Sequence, residues 1–118
     1  MSTVLGIAQS GLAAAATRVD VSANNLANAL TDGFVPSRVT TAEVPGGGVT
    51  AAVTRVADPL AEARADRALL AGSGTDLVEE VVAQRTAARL YEANAASLRT
   101  ADALFQAALR LKADGEPR

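Results

Sequence analysis

The chain has 118 residues, of which 28 are alanine and only three are aromatic. Its 11 basic and 13 acidic residues are mixed along the sequence, which argues against the clustered basic face that nucleic-acid binding requires. Cysteine and histidine are both absent, which excludes disulfides and removes the usual general base and the commonest metal ligand. Because alanine buries little apolar surface, we expect a weak core that gains stability from partner surfaces.

A helix is predicted from Thr3 to Leu30, where large apolar residues recur every seven positions and small residues lie three positions further on. The large set is Leu5, Leu12, Val19 and Leu26, and the small set is Ala8, Ala15, Ser22 and Ala29. A facing helix could approach this small-residue line closely. The segment has no positively charged start and no apolar run long enough to cross a bilayer. We therefore expect neither a cleaved signal nor membrane insertion.

The middle of the chain changes character. Residues Ser37 to Val56 are rich in valine and threonine and predict a β-hairpin, with Pro45 to Gly48 as its turn. Asp58-Pro59 marks a break, and Leu60 to Leu70 is predicted to be a short helix or an irregular segment. Gly72-Ser73-Gly74 is interpreted as a hinge.

A second, longer helix is predicted from Asp76 to Lys112. Asp76 followed by Glu79 resembles a capping box. The adjacent pair Glu79-Glu80 is interpreted as a solvated face, because neighbouring helix residues do not face each other. We expect Tyr91 in the core of the apolar stripe and Asn94 as a buried polar residue that sets the register. The predicted stripe comprises Leu77, Val81, Gln84, Ala88, Tyr91, Ala95, Leu98, Asp102, Phe105 and Leu109.

Each terminal helix thus has an apolar stripe and no other partner within the chain. The sequence predicts a mainly α fold, in which two long terminal helices pair as an antiparallel coiled coil around a small central β-hairpin. We divide the chain into 1–34, 35–75 and 76–118, with the two terminal helices forming one unit.

Three asparagines, Asn24, Asn25 and Asn28, lie near the end of the first helix. Their amides could donate to backbone carbonyls that lack intrahelical partners, or could bridge to a neighbouring subunit. Gly33 can take a positive φ to end the helix, and Phe34 would then cap its apolar end. Two interpretations stay open: the amides satisfy the chain's own turn, or they hydrogen-bond at a subunit contact.

The stretch SGLAAAATRVDVSANNLANALTDGF resembles the N-terminal motif of the bacterial flagellar rod and hook proteins, and YEANAASLRTAD resembles their C-terminal helix. The chain departs from the usual pattern after the aromatic residue, where Val35-Pro36 replaces a basic residue. The candidate subunit-contact residues are Ser10, Gly11, Leu12, Asn24, Asn25, Leu26, Asn28, Thr31, Gly33, Phe34, Tyr91, Asn94, Leu98 and Phe105.

The resemblance implies a structural subunit of the flagellar basal-body rod that polymerises through its terminal helices to build the axial drive shaft. The implied partners are other rod subunits, copies of the chain itself and the flagellar export apparatus, and the implied location is the basal body. The short middle is most like that of a small proximal-rod subunit. The sequence offers no catalytic, cofactor or metal site. The alternative interpretation is a non-flagellar helical adaptor or a secretion-associated binding protein.

Overall fold

The computed structural model describes residues 2–56 and 72–114. It contains helix α1 (Ser2–Ala27), strand β1 (Ser37–Glu43), strand β2 (Val49–Arg55) and helix α2 (Leu77–Asp114). The fold is mainly helical with a central antiparallel hairpin, which confirms the predicted class. The predicted break at Asp58 and the segment from Leu60 to Leu70 lie outside the described residues.

The two helices pair with each other in antiparallel orientation. Gly11 lies against Asn94, whereas Ser22, about two turns after the middle of α1, bonds to Glu80 near the start of α2. Extrapolated along both helices, this register leaves roughly the last ten residues of α2 beyond the start of α1, a length of about 15 Å.

Small side chains form the contact between the helices. The buried apolar residues of the described ranges are all alanines, with exposures of 1–6%: Ala8, Ala14, Ala15 and Ala87. At Gly11 even a methyl group has no room, because a Cβ there would lie 2.6 Å from Oδ1 of Asn94. The predicted close approach along Ala8, Ala15 and Ser22 is confirmed.

The expected core position of Tyr91 is wrong, since this residue is 48% exposed. The predicted stripe is only partly the contact line: its members Gln84, Ala95 and Leu98 are half-buried, whereas Leu77, Val81 and Phe105 remain exposed. The buried and half-buried residues of α2 include Glu80, Gln84, Ala87, Asn94, Leu98 and Ala101. The physical reason is space: helices that approach to the distance set by alanine cannot enclose a tyrosine ring between them.

Local signals explain most of the element ends. Asp76 caps α2, because its Oδ1 accepts hydrogen bonds from the backbone N–H groups of Val78 (2.9 Å) and Glu79 (3.0 Å). The reciprocal half of the predicted capping box is absent, since the Glu79 carboxylate binds Arg38 instead. Helix α1 ends at Ala27, earlier than the predicted Leu30.

The hairpin turn is the predicted glycine-rich segment. The Gly47 N–H donates to the Val44 carbonyl (2.9 Å) and closes a four-residue turn. Pro45 occupies the second position of this turn and Gly46 the third, with φ 95°, which is the pattern of a type II turn. A Cβ on Gly48 would lie 2.6 Å from Oγ of Ser10. The missing side chain therefore allows the tip of the hairpin to lie directly on α1.

The variant Gly11→Ala should lower the free energy of unfolding by about 1–3 kcal/mol, because the added methyl group overlaps the Asn94 side chain. The double variant Gly11→Ala with Asn94→Ala should recover that loss, since the overlap is removed and alanine favours the helix by about 1 kcal/mol over glycine. Urea unfolding of the four members of this mutant cycle measures the coupling. Additive effects of the two substitutions would contradict the contact.

Candidate functional site

A polar cluster joins α1, the hairpin and α2 where α1 ends. We call it the asparagine junction, and it comprises Ser22, Asn25, Ser37, Thr75 and Glu80. Asn25 is its centre: this side chain is 0% exposed and is the largest fully buried one among the described residues. A buried amide is costly unless all its polar atoms are bonded, so its partners decide what it does.

The Asn25 side chain pairs with the peptide groups of Ser37 as a neighbouring strand would. Its Nδ2 donates to the Ser37 carbonyl (2.8 Å), and its Oδ1 accepts from the Ser37 N–H (3.0 Å). The second Nδ2 hydrogen goes to Oε1 of Glu80 (2.8 Å). Aspartate has no donor for these two bonds. The geometry thus explains why an amide stands here.

Two hydroxyl groups complete the junction. Oγ of Ser22 donates to the Glu80 carbonyl across the helix pair (2.8 Å), and Oγ1 of Thr75 donates to the Asn25 carbonyl at the end of α1 (3.3 Å). Within the described ranges no buried side-chain nitrogen or oxygen lacks a partner. The junction is therefore fully satisfied inside one chain.

An exposed ion pair lies beside the junction. The guanidinium of Arg38 donates to both carboxylate oxygens of Glu79, at 2.5 and 3.0 Å. The hydrogen bond to Glu79, followed by the attraction of its charge, raises the pKa of Arg38 above its usual value. Both side chains are more than half exposed, so the pair contributes at most about 1 kcal/mol.

Two further contacts fix the hairpin along α1. Nη2 of Arg18 donates to Oγ1 of Thr41 (3.1 Å). Nearer the start of α1, Oγ of Ser10 accepts from the Val49 N–H (3.0 Å) and donates to the Ile7 carbonyl (2.7 Å). The adjacent motif residues Ser10 and Gly11 therefore serve different neighbours, the hairpin and α2.

Asn24 lies in the last turn of α1, and Asn28 lies in the turn that follows the helix. Nδ2 of Asn28 donates to the Asn24 carbonyl (2.9 Å), which also accepts from the Asn28 backbone N–H (3.2 Å), so this carbonyl is not one that lacks a backbone partner. Gly33 has the expected positive φ, 71°, but it shapes the turn from Thr31 to Phe34 and lies six residues past the end of α1. Gly74 donates to the Phe34 carbonyl (3.1 Å), so the segment interpreted as a hinge is bonded to this turn.

The structure distributes the candidate contact residues over the length of the helix pair and does not gather them into one pocket. Asn25 lies in the junction, and Gly11 and Asn94 meet in the first half of α1. The half-buried residues are Ser10, Gly11, Leu12, Leu26, Asn28, Phe34, Asn94 and Leu98, and the exposed ones are Asn24, Thr31, Gly33, Tyr91 and Phe105. The exposed group is the one with surface free to meet another chain.

Sequence reasoning missed Ser37, Thr75 and Glu80 as partners of Asn25, and it missed Ser22 as a partner of Glu80. The prediction that Glu79 and Glu80 both face solvent is right for Glu79, which is exposed. It is wrong for Glu80, which is half-buried and accepts a hydrogen bond from Asn25. One signal was present: Ser22 is the polar member of an otherwise alanine-filled line. A buried hydroxyl on such a line needs a partner on the facing helix.

Two open clefts are lined by α1, the hairpin and α2, with volumes of about 430 and 270 Å³. The ionisable residues of the larger cleft are Arg18, Arg38, Glu79 and Glu80, and both carboxylates already accept hydrogen bonds from side chains. In the part of the chain that the structure describes, no three metal-ligating side chains come together. Neither described helix has the length and apolar character that crossing a membrane requires.

The fold and the junction define a protein whose two terminal helices form one pair, braced by the hairpin. Comparison with protein families gives two matches: residues 5–34 match the model described as flagella basal body rod protein, and residues 68–111 match flagellar basal body rod FlgEFG protein C-terminal. The chain belongs to the flagellar basal body rod protein family. A search of curated proteins finds no match.

Family membership fixes the broad role of the chain. It is a structural protein of the basal body rod, in a family of structural proteins and not of enzymes, and it assembles with other rod components. The two matched segments contain most of α1 and α2 and leave residues 35–67 between them. The helix pair is thus the part of the molecule that the family shares.

The variant Asn25→Ala should lower the free energy of unfolding by about 1–3 kcal/mol, because the polar groups that it bonds lose their partner. Asn25→Asp should be at least as damaging despite its similar shape, since it places a carboxylate against Glu80. The matched control is Asn24→Ala at an exposed position, expected within about 0.5 kcal/mol of the parent. Equal urea midpoints for the Asn24 and Asn25 variants would refute the junction.

Proposed function

We propose that this chain polymerises through its terminal helices within the basal-body rod and forms part of the axial drive shaft for motility. The observation that carries this proposal is the apolar surface left uncovered. In the described ranges sixteen large hydrophobic residues are at least 40% exposed, and ten of them lie on α2. A single chain of this kind has more apolar surface than it can cover by itself.

The overall dimensions support the same proposal. The accessible surface is 8751 Å², whereas a compact protein of this mass exposes about 5,900 Å². The radius of gyration is 21.2 Å, against about 13–14 Å for a compact domain of this length. The excess surface is comparable with that of an obligate interface, about 2,000–5,000 Å².

The packing suits a part that bears load. Close contacts between small side chains are individually weak, about 0.1–0.2 kcal/mol per atom pair, but many must be lost together when two helices slide. The alanine contact between α1 and α2 is of this kind. We propose that contacts between subunits use the exposed candidate residues, including Asn24, Thr31, Tyr91 and Phe105.

The position in the rod and the route to it are also proposals. The 35–67 interval between the matched segments is short, which favours a small proximal-rod subunit over members with large central domains. We propose delivery by the flagellar export apparatus without cleavage of α1. Cleavage would remove Ala8, Ala14 and Ala15, and with them most of the buried apolar contact.

The isolated chain at low concentration should show less helix than the 26 and 38 residues of α1 and α2. The alanine core is too small to stabilise both helices fully, and partner surfaces supply the remainder. Far-UV circular dichroism across a dilution series measures this, with the assembled form as reference. A dilute monomer with the full helical content would contradict assembly-coupled folding.

Deletion of the gene in the source bacterium should abolish swimming and yield basal bodies with an incomplete rod, and the parent gene should restore both. Mass spectrometry of purified basal bodies should recover the chain with α1 intact. Normal swimming combined with absence of the chain from basal bodies would refute the function and favour the adaptor interpretation.

A further inference from the structure

The outer edge of β1 faces a groove that runs along the helix pair. Backbone hydrogen bonds from Val44 to Gly48 and from Val56 to Pro36 fix the register of the hairpin. In an antiparallel pair, positions that bond to the partner strand alternate with positions that point outwards. Even-numbered residues of the two strands therefore bond to each other, whereas the N–H and C=O groups of odd-numbered residues point outwards.

Side chains of α1 already bond to two of these outward positions, one on each strand. The carboxamide of Asn25 pairs with both peptide groups of Ser37 on β1. Oγ of Ser10 accepts from the N–H of Val49 on β2. The Asn25 carboxamide thus takes the first position of a third strand beside β1. At the next outward positions, residues 39 and 41, the N–H groups have no acceptor among the described residues.

The groove consists of the two clefts described above, and Arg18 lines both of them. Its floor is α1, which contributes small residues such as Ala14, Ala15 and Ser22, and its far wall is α2. Within the described residues no Cα atom of β1 lies within 8 Å of a Cα atom of α2, so α2 leaves this edge uncovered. Residues 51–55 of β2, which are also described, line neither cleft, so the opposite edge has no comparable walls.

We propose that an extended segment of another protein chain binds in this groove and adds to β1 as a third strand. A polypeptide backbone presents its donors and acceptors with the two-residue repeat that the outward groups of Val39 and Thr41 require. The Asn25 carboxamide blocks the position beside Ser37, so the guest strand begins at Val39 and runs towards the hairpin turn. It lies at the same height above α1 as β1 does, so its residues that face α1 should be small.

Charge places an acidic residue of the guest strand next to Arg18. The ionisable residues of the described chain that line the groove are Arg18, Arg38, Glu79 and Glu80. Arg38 and Glu79 bond to each other, and Glu80 accepts a hydrogen bond from the Asn25 amide at the closed end. Arg18 bonds to the Thr41 hydroxyl through one nitrogen, and its other N–H groups can donate to a carboxylate. Glu43, in the described part of β1, lines neither cleft.

This contact belongs to the hairpin and is separate from the contacts between terminal helices that we propose above. It adds to them a partner of a different kind, an extended segment instead of a helix. Only the measurement in cells described next rests on the proposed rod function.

Matched proline variants test the groove, because Val39 and Val53 are opposite each other in the register and both N–H groups point outwards. Val39→Pro removes the N–H that faces the groove, and Val53→Pro removes one at the open edge; neither breaks a bond between the strands. Val39→Ala is a second control, since it shortens the side chain but keeps the N–H. Recovery of the chain from purified basal bodies should fall about tenfold or more for Val39→Pro alone.

A peptide probe tests strand addition on the full parent chain, whether or not Val39→Pro folds. The probe is the capped peptide Thr-Ala-Thr-Glu-Thr-Ala-Thr, which alternates threonine with alanine and one carboxylate. In nuclear magnetic resonance spectra it should shift the amide signals of Val39 and Thr41 and leave that of Val53 unchanged. Two twins carry N-methyl groups on alternate residues, and only the twin whose methyl groups face β1 should bind about tenfold more weakly.

The charge is tested separately with Arg18→Ala. This variant should weaken binding of the probe but not of a matched probe with glutamine in place of glutamate, because only the carboxylate pairs with the guanidinium. Equal losses for the two probes would remove the acidic residue from the proposed guest.

Equal recovery of the Val39→Pro and Val53→Pro chains from basal bodies would overturn the proposal. Equal binding of the two methylated twins, or no shift of Val39 and Thr41 at millimolar probe, would overturn it as well. Recovery of the parent chain from basal bodies would leave the rod function standing in each case, so the two failures can be told apart.

Discussion

The close approach of α1 and α2 is the constraint on which the rest of the structure depends. Gly11 leaves room for the Asn94 side chain, and alanines fill the seam on either side. At this separation no leucine, valine or tyrosine side chain of the described residues is fully buried: Leu12 and Leu98 are half-buried, and Tyr91 is exposed. The same feature therefore makes the isolated fold weak and supplies the surface for assembly.

The hairpin acts as a brace along one side of this pair. Its three anchor points on α1 are Ser10, Arg18 and Asn25, separated by about 10–12 Å at the rise of a helix. Contacts spread over that length prevent the hairpin from rotating about any single one. Asn25 also reaches Glu80, so the position of the hairpin and the register of the two helices are fixed by one side chain.

Local rules predicted most of the elements, because their causes lie within a few residues. The Asp76 cap, the Pro45-Gly46 turn and the small-residue line of α1 are of this kind. The role of Tyr91 was not predictable in the same way, since a broad apolar face contains more than one possible contact line. Only the facing helix selects between them. The partners of Asn25 lie 12 and 55 positions away in the chain, and no local pattern indicates such contacts.

A seam of alanines alone would not hold a unique register. Apolar contacts have little direction, and a slip of one heptad along either helix would again place small residues opposite small residues. The polar contacts remove this freedom, because a slip would leave the buried Asn25 amide without Ser37 and Glu80 and would move Asn94 away from the gap at Gly11. In the helix pair, the small residues provide close contact and the buried Asn25 amide fixes one register. Because an alanine-rich seam does not fix its own register, the helix needs a polar contact such as that of Asn25 near its end.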